Sequence, residues 1–242
     1  MSSRKPTLLP VFLTLISGGL ALLVLVGYTG APVADGGKIT GTIRLKGEAP
    51  ALAAHQVTEA VEVCGQTVPN EEIVTKGGGL GNAVVWLDNI QSGMPKKKQT
   101  VLLDQKKCRY VPHVMSATVN SNLVITSSDP TLHNIHGFLG RRTVFNVAMP
   151  VKGMRISKRL NQPGQITVKC DAGHTWMSAY IHVFPHPYHV VSSPDGRFEL
   201  PNVPPGTYTL KAWHERLGSQ TAEVTVAAGG TVTKDIEFRA AP

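Results

Sequence analysis

Downstream of residue 30 the chain reads as short runs of apolar and polar residues, cut by Gly, Pro, Asn and Asp. Segments 38–45, 82–87, 123–126, 165–169, 197–200 and 207–213 are rich in β-branched residues and have strand lengths. Their period near two places successive side chains on opposite faces of a strand. No stretch sustains the 3.6-residue period of an amphipathic helix. The pattern predicts an all-β protein built as two sandwiches.

The N-terminal stretch breaks this pattern. From Leu8 to Tyr28 there is no charged residue, and Arg4 and Lys5 precede it. At about 1.5 Å per residue, a helix of this length crosses a hydrocarbon core of about 30 Å. Basic residues before the span direct the following chain outward. Residues 1–30 are therefore expected to form one transmembrane or signal helix, either a signal anchor or a cleaved signal peptide. Ala31-Pro32-Val33-Ala34 is a poor cleavage sequence, which favours the anchor. Both readings put the remainder in the periplasm or another extracytoplasmic space, held at the inner membrane if uncleaved.

Composition adds two constraints. The formal charge is +8, and all but two of the 24 basic residues follow residue 30. That excess suits an acidic or membrane-bound partner, and the absence of arginine-rich runs and aromatic platforms argues against nucleic acid. There are three cysteines. In an oxidising compartment Cys64 and Cys108 can pair, leaving Cys170 as the odd thiol.

A reason for that thiol lies beside it. Cys170-Asp171-Ala172-Gly173-His174-Thr175-Trp176-Met177 offers a sulfur, an imidazole and a thioether, and Leu132-His133-Asn134 offers a second imidazole. Cys, two His and a weak axial Met are the donors of a mononuclear type 1-like copper site. His133, Cys170, His174 and Met177 are the expected ligands of one copper ion. His136, Asn134 and Met149 are candidates for additional ligation or for support around the ligands. In a strand, His136 faces away from His133. His186-x-x-His189 reads as surface histidines. No nucleophile arrangement or haem attachment motif appears, so the chain is not expected to be an enzyme.

Two resemblances add to this reading. Residues 194–210, with Asp195-Gly196 and Pro204-Pro205-Gly206, resemble the carboxypeptidase regulatory-like, or transthyretin-like, domain. That family's first strands resemble Gly37 to Leu45 and Leu80 to Leu87. The resemblance implies a discontinuous sandwich over 37–94 and 188–240. Residues 95–187 resemble a plastocyanin-like cupredoxin, a Greek-key sandwich, through Tyr110-Val111-Pro112, the stretch Ser127 to Asn134 and the closing Cys-x₃-His-x₂-Met loop. Exported bacterial proteins joining these two domains, some labelled methylamine-utilisation proteins, are the class it resembles.

Two departures qualify the copper type. Cys-x₃-His-x₂-Met also matches half of a binuclear copper loop, but Ile166 stands where that loop needs a second Cys. Thr175 follows the histidine where related loops have proline, so blue, green and red variants all stay open. The function this implies is electron transfer outside the cytoplasmic membrane with a redox protein partner. Copper storage, delivery or sensing is the alternative, as is a β-sandwich binding module with a vestigial metal site.

Overall fold

The structure is a computed structural model that describes residues 35–90 and 98–240. The expected N-terminal helix lies outside the described residues, as do Lys96 and Lys97 of the lysine run. Among the described residues no helix is long and apolar enough to cross a membrane. The described helix, Val61–Cys64, is a single turn, and the rest is strands and turns.

The strands form two sandwiches. In the central one, a sheet ordered Arg155–Leu160, Ser121–Ser127, Thr100–Gln105, Tyr110–Val111 faces a second sheet. That second sheet runs Arg142–Met149, His133–Leu139, Gly164–Lys169, Ser178–Phe184, Val114–Thr118. Two of its neighbours, 178–184 and 114–118, are parallel, as are 121–127 and 100–105 in the other sheet. Inward residues alternate as period two demands: Leu123 and Ile125 are fully buried, as is Ile135 on the facing sheet.

The terminal sandwich takes strands from both ends of the described chain. Gly37–Lys46 lies in its six-stranded sheet, antiparallel to Arg197–Val203 and parallel to Thr231–Thr233 and Ile236–Arg239. The facing sheet runs His189–Val191, Val84–Leu87, Gly206–His214, Gly218–Val226. In Gly206–His214 the buried Tyr208, Leu210, Ala212 and His214 alternate with half-buried or exposed residues. Ile39, Ile43, Leu80, Val85 and Phe238 join Tyr208, Leu210 and Ala212 in one core. Its sheet is pinched at Gly79, where an added Cβ would lie 1.9 Å from the Asp195 carbonyl oxygen, so only glycine fits.

The sandwiches meet through a small cluster of Val84, Val114 and Phe184, flanked by Trp86, Tyr180 and Trp213. His189 adds polar ties across it, to Ser116 Oγ at 2.9 Å and Thr118 Oγ1 at 3.2 Å.

One sequence expectation needs correction. The resemblance implies that segment 37–94 lies wholly in the regulatory-like sandwich. Instead, Val57, Cys64 and Val68 belong to the core of the central sandwich, with Ala60, Val61 and Val63 packed against it. Residues 47–72 form a strap that leaves one sandwich, lies over the other and returns. Its three apolar anchors are buried only there, and its own pair of two-residue strands, His55–Gln56 and Thr67–Val68, is too short to stand alone. Cys64 and Cys108 form a disulfide that fastens the strap down.

Candidate metal centre

The candidate ligands converge at one end of the central sandwich because of strand order. His133 opens the strand His133–Leu139, which pairs with Gly164–Lys169. That strand in turn pairs with Ser178–Phe184, and the loop between them is 170–177. The loop is wound tightly: Thr175 N donates to Gly173 O and Met177 N to His174 O, each at 2.9 Å. Gly173 takes φ 82, a conformation costly for other residues.

The donor atoms face one another. His133 Nδ1 lies 3.1 Å from His174 Nδ1, and Cys170 Sγ lies 3.6 Å from His174 Nδ1. Metal bonds of about 2.0–2.1 Å to nitrogen and about 2.3 Å to thiolate can span both gaps from one ion. Ligand atoms of His133, Cys170 and His174 lie within 4.8 Å of one another. Met177 is 2% exposed and belongs to the same core. One soft thiol and two imidazoles, with Met177 closing the same loop, suit copper, so the donor set fits the implied ion.

The other candidates take separate places. Asn134 donates its backbone N–H to Cys170 Sγ at 3.3 Å, and its side-chain amide donates to Asn146 Oδ1 at 2.8 Å. Met149 is fully buried on the strand opposite His133, paired with it in register. His136 is not brought to the site. It faces the other side of the sheet, 2.7 Å from Asp171 Oδ2 and 2.8 Å from Thr143 Oγ1.

Sequence reasoning missed two features. Asp129, 6% exposed, accepts from His133 Nε2 at 3.0 Å. It also accepts from the amides of Lys107 at 2.7 Å and Cys108 at 2.8 Å. Those residues have φ 53 and φ 52, so the carboxylate stabilises a left-handed turn that would otherwise be unfavourable. One side chain thus holds both the ligand His133 and the disulfide loop; the only sequence signal was an Asp four residues before a His. The second feature is the strap. A Cβ on Gly173 would come within 2.9 Å of Glu59 Cγ, so the strap sits directly on the metal loop. His174 is accordingly 2% exposed. Trp176 completes the cover, its indole N–H donating to Cys108 O at 3.0 Å. Beside the loop a polar cavity of about 270 Å³ is lined by His55, Glu71, Glu72, Arg109, His113 and Trp176, among others.

The charges form a line. Burial opposes protonation of His133, but Asp129 and Cys170 outweigh it and raise its pKa to about 9. Burial likewise pushes the Cys170 thiol up, yet His133 and the amides of Asn134 and Ala172 bring it below its usual value. Burial and the positive His133 both lower His174. His133 and Cys170 are thus shifted toward an imidazolium facing a thiolate, and a metal held here would displace that proton.

Asp129→Ala leaves the buried Cys108 amide without its acceptor, at about 1–3 kcal/mol, frees the part-buried Lys107 amide, and releases His133. Metal affinity should fall about 10- to 100-fold and the thermal midpoint should drop. Metal titration and thermal melts of the variant check both, and an unchanged affinity would show that Asp129 does not position His133.

Parts of the chain are similar to known proteins. The model of the carboxypeptidase regulatory-like domain matches residues 164–239. Its match starts in a strand of the central sandwich, whereas the strands from His189 onward lie in the terminal one. Rhamnogalacturonate lyase A of Emericella nidulans is 30% identical over 96 residues, 39% of this chain. The chain spans only 18% of that protein's length. Among solved structures, a methionine-to-alanine variant of amicyanin in its Cu(I) form aligns at 17% identity and TM-score 0.31. It covers 35% of this chain and 81% of amicyanin. A purple cupredoxin from Nitrosopumilus maritimus aligns at 22% identity and TM-score 0.28, covering 31% of this chain and 80% of its own.

Proposed function

We propose that the chain is a mononuclear copper-binding cupredoxin that transfers electrons outside the cytoplasmic membrane, without catalysing a reaction of its own. The observation that carries this reading is the convergence of His133 Nδ1, His174 Nδ1 and Cys170 Sγ at 3.1 and 3.6 Å. Copper held there supplies one-electron chemistry between Cu(I) and Cu(II). The protein's part is to keep the ligands still. Asp129 fixes the His133 ring, the Asn134 amide donates to the Cys170 sulfur, and Tyr110 donates its hydroxyl to the backbone oxygens of Asn134 and Lys169 beneath them. Ligands that resist rearrangement favour rapid electron exchange. In this proposal residues 95–187 are the copper domain, inserted in a regulatory-like sandwich built from 37–46, 73–90 and 188–240, with the strap of 47–72 reaching over it. An N-terminal helix exports or anchors it, and an acidic or membrane-bound redox protein is the partner.

A second reading is storage, delivery or sensing of copper. Its support is the burial of His174 under the strap, which leaves no ligand edge at the surface for direct electron exit.

Adding Cu(II) to the full chain should give an intense thiolate-to-copper absorption and a matching paramagnetic resonance signal, both lost in Cys170→Ser. Colourless copper, unaffected by that substitution, would sink the copper–thiolate centre. Cyclic voltammetry then separates the readings: fast reversible cycling belongs to a carrier, slow cycling with exchangeable copper to a store.

A further inference from the structure

His133 has two ring nitrogens, and the proposed copper centre uses one of them. Nδ1 faces His174, whereas Nε2 faces the Asp129 carboxylate. Cys108 lies on that second side, where its amide donates to the same carboxylate oxygen at 2.8 Å. Ligand atoms of Cys108, Asp129 and His133 lie within 4.8 Å of one another, and all three residues are buried. Thiolate, carboxylate and imidazole together are donors for zinc, cobalt and copper. While bonded to Cys64, however, the Cys108 sulfur has no thiolate to offer.

The bond that masks this sulfur also holds the strap. Besides the disulfide, the strap is kept on the central sandwich by the packing of Val57 and Val68 and by the Arg109–Glu71 ion pair. Cys108 itself stays in place without Cys64, because Asp129 and the Trp176 indole grip its amide and carbonyl. Breaking the bond thus frees the thiol and loosens its cover while the other two donors remain where they are.

We infer that the Cys64–Cys108 disulfide masks a second metal site, made of Cys108, Asp129 and His133 Nε2, which opens when a dithiol reductant reduces it. The exchange moves two electrons and two protons. The reductant's two thiols become its own disulfide, and Cys64 and Cys108 become thiols. Cys108 and the Nε2 of His133 then release their protons to solvent as the metal binds. An ion taken here sits one imidazole ring away from the Cys170 side, so His133 links a thiol-gated entry site to a permanent one.

Cobalt(II) titration of the full-length Cys170→Ser chain tests this without the first site, so a failed copper centre and a failed second site are distinguishable. The oxidised chain should show no thiolate-to-cobalt band. After reduction with a phosphine, removed before the metal is added, the band should grow to one equivalent. The Cys64→Ser/Cys170→Ser chain should show the same band with no reductant. Adding Cys108→Ser should abolish it, and adding Asp129→Asn should weaken cobalt affinity at least tenfold. A folded reduced chain with no band, or a band that survives Cys108→Ser, overturns the inference. Loss of the near-ultraviolet circular dichroism in both the reduced and the Cys64→Ser forms overturns it too, because the site needs Asp129 and His133 held in place.

Discussion

Moving the protein from pH 7 to pH 5 should lower its thermal midpoint by about 10 °C. Three histidines are neutral by burial. His182, His189 and His214 each have a pKa lowered to about 4, in every case chiefly by burial. A nearby His186 adds to the effect at His189, and His113 adds to it at His214. Unfolded histidine titrates near about 6.5. Between about 6.5 and 4 the unfolded chain therefore binds protons that the folded chain refuses, and stability falls as the pH falls. At about 1.4 kcal/mol per pH unit the loss reaches roughly 2 kcal/mol per histidine by pH 5, and half of that summed over three is still a large part of a typical stability. His113 works the other way. Burial lowers its pKa, but Glu215 outweighs this and raises it, so its contribution is present in acid and fades as the pH rises through the folded value. His133, raised to about 9, works in the same sense as His113, and together they offset part of the loss. Melts followed by near-ultraviolet circular dichroism across this range check the sum; a flat midpoint would mean that the junction admits protons freely. His182 should carry a visible share, since its Nε2 has no hydrogen-bond partner among the described residues and its ring lies 4.4 Å from that of Trp213.

Removing the disulfide should have an effect of similar size. Cys64 and Cys108 are 44 residues apart in sequence, and closing a loop of that length in the unfolded chain is worth about 4 kcal/mol in the chain-entropy model. Cys64→Ala/Cys108→Ala should therefore melt about 10 °C lower. It should also exchange metal faster, because the strap over His174 then rests on packing and on the ion pairs of Glu71 and Glu72. Thermal melts and metal transfer to a chelator measure the two effects separately. An unchanged exchange rate would show that strap packing alone seals the site.

Much of the fold was legible because alternation is a local signal. The runs 38–45, 165–169 and 207–213 fall within strands that extend one residue further at one or both ends. His136 faces away from His133 in the structure, as alternation along a strand requires. The strap was not legible, because Val57, Cys64 and Val68 are too sparse to show a period and find their burial against residues far along the chain. Asp129 was hidden for a different reason. An Asp before a Pro reads as a turn residue, and only the fold shows that its carboxylate gathers Lys107, Cys108 and His133.

The terminal strands carry one more consequence. Gly37–Lys46 and Ile236–Arg239 run parallel, with Ile43 opposite Ile236 and Lys46 opposite Arg239. A force drawing the two ends of the sandwich apart therefore slides one strand along the other. It loads the slanted, evenly spaced bonds of a parallel pair together, where an antiparallel pair pulled from one end would open bond by bond. If the chain is tethered at its N-terminus, tension from the tether meets the sandwich in its mechanically resistant direction.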